Sequence, residues 1–88
     1  LAKNFPNPFN SSTKISFTID KTRSVKINIY DIKGHKVKTI VDDHYNLGVY
    51  NANWDGKNTL GEMVSSGIYY YSIISNDYVE TKSMVYLK

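Results

Sequence analysis

The chain has 88 residues, 11 Lys and Arg against 8 Asp and Glu for a net charge of +3, and no Cys. That length supports one core and little more, and the missing Cys excludes disulfide staples and thiolate metal sites, so packing alone must hold the fold. The aromatic share is high, with 8 Tyr, 3 Phe and 1 Trp, a composition that fills a thin core and reaches water at its rim.

Residues 1–12 are rich in Asn, Pro and Ser. Pro6 and Pro8 bracket Asn7, and each Pro biases its predecessor out of the helical region. The stretch reads as an extended lead-in, with Phe5 and Phe9 placed to pin it to a domain spanning 13–88. Ile15, Phe17 and Ile19 then alternate with polar neighbours, as do Val25, Ile27 and Ile29. A period of two marks half-buried strands.

Asp31-Ile32-Lys33-Gly34 reads as a hairpin loop, because Gly34 takes positive φ at no steric cost. The run His35 to Val41 is a third strand of uncertain phase: Val37 and Val41 share one parity and Ile40 the other, which calls for a bulge. Asp42 to Leu47 reads as a loop, Val49 to Trp54 as a strand with Tyr50, Ala52 and Trp54 on one face, and Met63-Val64 as a very short strand. Ile68 to Ser75 is the strongest run, with Tyr69, Tyr71 and Ile73 together. Asn76-Asp77 is a turn, and Tyr78 to Leu87 the last strand; either Met84 and Tyr86 or Val85 and Leu87 face inward.

No helical period is visible. About seven short strands with regular turns point to an all-β, immunoglobulin-like sandwich of antiparallel strands without a disulfide. Tyr69, near the start of its strand, occupies the place of a tyrosine corner, with Tyr71 where antibody domains carry a Cys; both also fit as simple core rings.

Catalysis requires a converging nucleophile, base and orienter, and no such set is apparent. His35 and His44 flank the third strand at opposite ends. Asp42, Asp43 and His44 are adjacent, so extended backbone splays their side chains apart. Asp55-Gly56-Lys57-Asn58 supplies oxygens of the kind calcium takes, but lacks the closing Glu of an EF-hand loop and reads as an Asx-type turn. Lys26, Lys33, Lys36 and Lys38 form a basic face too sparse in aromatics for nucleic acid. Asn10-Ser11-Ser12 fits a glycosylation sequon. The reading is of a non-catalytic domain without cofactor or metal. No segment is apolar and long enough to span a membrane, and the chain opens at Leu1 without Met, as an excised or processed domain would.

Ordered motifs narrow this. Asn4-Phe5-Pro6-Asn7-Pro8-Phe9-Asn10 followed by Ser12-Thr13, then Val25 to Gly34, Trp54-Asp55-Gly56 with Asn58 and Gly61, Ser66-Gly67-Ile68-Tyr69-Tyr70-Tyr71, and Lys82 to Lys88 resemble, in order and spacing, the type A C-terminal sorting domains of the type IX secretion system. Ser11 departs from the pattern, where members often carry Pro. The resemblance implies an immunoglobulin-like fold related to the flagellar hook-capping protein. It also implies a C-terminal address on a larger cargo, often a hydrolase or adhesin of Bacteroidetes-type bacteria. The cargo would be fused ahead of the domain, read by the outer-membrane translocon and its sorting and cleavage machinery, and released or held at the cell surface. By resemblance, Gly67, Tyr69, Lys82, Met84, Val85, Leu87 and Lys88 carry recognition. Pro6, Asn7, Pro8, Gly34, Trp54, Asp55 and Gly56 are structural. An exposed last strand suits recognition by edge-on addition to a partner sheet. Two other readings stay open: a carbohydrate-binding module using Tyr30, Tyr70, Tyr78 and Tyr86, and a structural spacer.

Overall fold

The computed structural model describes residues 2–76 and 78–88. Its strands are β1 (Ala2–Phe5), β2 (Thr13–Ile19), β3 (Arg23–Tyr30), β4 (Lys36–Tyr45), β5 (Gly48–Trp54), β6 (Gly67–Ser75) and β7 (Tyr78–Tyr86). They form two antiparallel sheets in the orders β1-β2-β5 and β4-β3-β6-β7. In immunoglobulin lettering these are A-B-E and C′-C-F-G.

Alternation places the core between the sheets. Ile15, Phe17 and Ile19 face Val25, Ile27 and Ile29, and Tyr69, Tyr71 and Ile73 close the layer. At about 25 cal/mol per Å² of buried apolar surface, each such side chain contributes roughly 1.5–3 kcal/mol. The hairpin after β3 forms as read: Gly34, at φ 86°, donates its N–H to the Asp31 carbonyl at 3.0 Å. The Asp31 carboxylate accepts the N–H groups of Lys33 and His35 at 3.0 and 2.9 Å. The His35 N–H, then that of Lys33, outweigh partial desolvation and hold the Asp31 carboxyl below its ordinary pKa.

Several sequence expectations change. The stretch read as a lead-in contains β1, paired along β2 from Ala2 against Phe17 to Phe5 against Lys14. Phe9 is buried, whereas Phe5 is 77% exposed and pins nothing. Met63 makes an isolated bridge to Lys57 instead of a strand, so the seven strands include β1 in its place. Residues 42–45, read as a loop, continue β4. The phase of β4 is explained by two register shifts. Pairing steps from Ile27–Val41 to Asn28–Thr39, and from Ile29–Lys38 to Tyr30–Lys36. Each skips a residue, Ile40 and then Val37, and so Val37, Ile40 and Val41 all reach the core despite mixed parity. Of the Asn76-Asp77 turn, Asp77 lies outside the described residues, as does Leu1; Asn76 takes φ 52°.

Candidate functional site

Many of the motif residues, Asn7, Phe9, Trp54, Gly56, Ser66 and Tyr69 among them, gather at one end of the sandwich, around the end of β7. Trp54, fully buried, ends β5 there. Its indole N–H donates to the Lys57 carbonyl at 2.9 Å, which fixes the ring in the sharp turn that follows. Asp55 closes that turn by accepting the Lys57 N–H at 3.2 Å, and Asn58 accepts the N–H groups of Leu60 and Glu62. These side-chain oxygens are used in turn closure. Gly56 is required twice over: its φ is +75°, and a Cβ there would stand 2.9 Å from the Tyr86 ring.

Tyr86 lies over Gly56 with its ring inside an aromatic group. Phe9 stacks on it at 5.0 Å between centroids. Trp54 meets Phe9 edge-on at 5.6 Å and Tyr69 at 5.2 Å. Such pairs are worth about 0.5–1.5 kcal/mol beyond burial. The Tyr69 hydroxyl donates to the Ser65 carbonyl at 2.7 Å, four residues upstream, which is the bond of a tyrosine corner. Tyr71, two positions on, is fully buried in the Cys position.

The residues ahead of β2 hold the last strand in place. The Phe9 N–H donates to the Val85 carbonyl at 3.0 Å, and the Leu87 N–H to the Phe9 carbonyl at 2.8 Å, a parallel bridge about Tyr86. Asn7 Oδ1 accepts the Val85 N–H at 2.9 Å. The segment is itself anchored: the Thr13 hydroxyl donates to the Pro6 carbonyl at 2.9 Å and accepts from the Asn4 amide at 3.2 Å. Both X-Pro bonds, Phe5-Pro6 and Asn7-Pro8, are cis. Pro8 is exposed. The Lys88 N–H donates to Ser66 Oγ at 2.8 Å.

These contacts define the edge of β7. Val85 and Leu87 turn their backbone polar groups away from β6, and the β6–β7 register is unbroken from Gly67–Tyr86 to Ser75–Tyr78. By alternation, Val79, Thr81 and Ser83 also point N–H and C=O outward. Among the described residues no backbone group meets theirs. Among the described residues the edge is therefore closed by residues 7–9 at its C-terminal half and open at Val79, Thr81 and Ser83.

Inward, the same stretch is charged. Lys82 Nζ donates to the Ala2 carbonyl of β1, and Glu80 accepts the Ala2 N–H at 3.4 Å and the Tyr78 hydroxyl at 2.8 Å. Burial works to raise the Glu80 carboxyl, but the Tyr78 hydroxyl, the Ala2 N–H and Lys82 outweigh it and hold it below its usual pKa. Inward charges and a neighbouring strand are means of guarding an edge.

The open choice for the last strand is settled. Met84 and Tyr86 are core, Val85 is half-buried on the outer face, and Leu87 is 52% exposed. Gly67 starts β6 opposite Tyr86. Gly34 does not join the cluster; its hairpin leads into β4, which meets the 58–64 loop through the Thr59 N–H and the Val37 carbonyl. Thr13 and Ser66 stand within the sequence motifs but carry no role legible from them, and Ala2 stands in none; their roles depend on contacts distant in the chain. The His pair stays apart: His44 bonds Ser24 Oγ at 2.9 Å, and His35 lies 3.7 Å from Asp31. Among the described residues, no group of three His, Asp or Glu could hold a metal ion, and no helix is long and apolar enough to cross a membrane. Of the tyrosines named for a glycan surface, Tyr86 is core, whereas Tyr30 and Tyr70 are half-buried cross-strand partners.

Sheet order, the tyrosine corner and the all-strand makeup of the described residues define an immunoglobulin-like β-sandwich. Residues 4–77 match the model of the FlgD Ig-like domain, and the chain belongs to that family, related to the flagellar hook-capping protein. No curated protein matches the chain, and no solved structure does.

Proposed function

We propose that this domain is a non-catalytic address that directs a cargo fused ahead of it through the type IX outer-membrane translocon to the cell surface or medium. The observation that carries the reading is the convergence of the motifs on β7. Residues distant in sequence, Asn7, Phe9, Trp54, Gly56 and Ser66, have in common that they seat the last strand and its end. A strand held by these contacts, with no backbone partner among the described residues for the outward groups of Val79, Thr81 and Ser83, suits strand addition by a partner sheet, in which backbone bonds give affinity and side chains give specificity.

Export of a reporter fused to the chain tests the reading in a host that has the translocon. The fusion is expected outside the cell, and deletion of Met84 to Lys88 is expected to retain it. Continued export of the truncated fusion overturns the proposal.

A structural spacer is the second reading, and one observation favours it. The family match ends at residue 77, ahead of β7, so membership speaks for the sandwich and not for a signal in its last strand. A spacer's fusion leaves the cell equally well without this domain.

A further inference from the structure

We propose that the two ends of this chain form a mechanical clamp, which keeps the domain folded when tension is applied between its N-terminal side and its last strand. The direction of the chain carries the inference. Beginning at Ala2, beside Glu80 and Lys82, the chain reaches Phe9 beside Tyr86. It thus advances along β7 in the same sense as β7 itself. The point where tension enters, Ala2, and the point where it leaves, Lys88, then lie at opposite ends of one seam. They are separated by about eight extended residues, roughly 26 Å at 3.3 Å per residue.

Tension between those points slides the opening segment backward along β7 and does not peel it away. The bonds across the seam lie across that direction: Phe9 N–H to the Val85 carbonyl, Leu87 N–H to the Phe9 carbonyl, Val85 N–H to Asn7 Oδ1, and Lys82 to the Ala2 carbonyl. Sliding loads them together, whereas peeling would load one at a time. The Phe9 ring, stacked on Tyr86 and set edge-on to Trp54, must leave its seat in the same step. Both β1 against β2 and β7 against β6 are also pulled lengthwise, since each pair is antiparallel and in continuous register. The barrier to forced unfolding, not the equilibrium stability, governs survival under load. The sorting reading enters only as one source of tension, a cargo trailing behind a gripped last strand; the clamp is tested without export, so either idea can fail alone.

The test is single-molecule pulling on the full chain. The absence of Cys makes any introduced pair of handles unique. Lys3→Cys with Lys88→Cys pulls along the seam. Asn10→Cys with Lys88→Cys pulls from one end of it, because Asn10 follows Phe9 beside Leu87. The seam-wise pair is expected to unfold at about twofold higher force or more at equal loading rate. Equal forces overturn the clamp. Asn7→Ala, at an exposed position, is expected to lower the seam-wise force and leave the peeling force as it was. An unchanged seam-wise force also overturns it. Handles alone supply the first comparison, so no variant of the core is needed.

Discussion

Tyr69 and Tyr86 share one aromatic group but differ in the use of their hydroxyls. Tyr69 donates to the Ser65 carbonyl, so Tyr69→Phe leaves a carbonyl unpaired and is expected to cost about 1 kcal/mol in denaturant unfolding. The Tyr86 hydroxyl is buried with no hydrogen-bond partner among the described residues. Tyr86→Phe is expected to melt at or above the parent temperature, since it removes a desolvated group that gains nothing in return. The Tyr71 hydroxyl too has no hydrogen-bond partner among the described residues, and burial, then the nearby Glu80 charge, raises its pKa to about 12. The folded state therefore favours the neutral phenol. That contribution is fully present below the unfolded value of 10.0 and is lost as pH rises toward about 12. Urea midpoints are expected to fall through that interval, and to fall less in Tyr71→Phe. The tyrosine corner was legible because the spacing after Gly67 places it; the missing partners were not, since they depend on what the opposite sheet presents.

The strands differ in how plainly they were written. β2, β3 and β6 are paired on both sides, and their core residues recur at every second position, although Asn28 and Ser72 on the opposite face are buried as well. β4 hides its extent because two skipped residues bring Val37, Ile40 and Val41 to the same side. β7 hides its inward face because Glu80 and Lys82 point toward β1, so the polar pattern there reads as surface. β1 has four residues, too few to establish a period. Phe5 and Phe9 looked equivalent by spacing, yet only one has an aromatic seat waiting for it. Phe9→Ala is expected to cost about 3–5 kcal/mol, whereas Phe5→Ala should stay within about 0.5 kcal/mol, as thermal or urea unfolding would record. The register of β7 makes a sharper prediction. Lys82 lies in the ladder with Tyr71, so Lys82→Pro is expected to cost about 3 kcal/mol or more. Thr81 turns its N–H outward, and Thr81→Pro is expected to be milder, because an edge strand tolerates Pro where its N–H faces solvent; its cost is that of the lost hydroxyl bond to Ser72, about 1 kcal/mol.

At the scale of the molecule, the beginning and end of the chain are one structural unit. Phe9 and Asn7 complete the edge that Val85 and Leu87 would otherwise leave unpaired, and Trp54 at the end of β5 and Gly56 in the turn after it shape the space for Tyr86. The sequence motifs had marked these residues separately, and spacing alone gave no reason for their occurring together; contact with β7 supplies one. It also separates the closed half of the edge from the half that has no backbone partner among the described residues, where the proposed partner strand would add. Thr81→Pro removes one outward donor of the open half and, with it, the Thr81 hydroxyl's 2.7 Å hydrogen bond to Ser72 of β6, while the β6–β7 backbone ladder and the aromatic seat remain. The decisive measurement is export of a reporter fused to the Thr81→Pro chain, made alongside its melting curve. A domain that melts close to the parent but leaves the fusion inside the cell is the expected result. A folded Thr81→Pro domain that is exported as efficiently as the parent would contradict recognition through the open edge of β7.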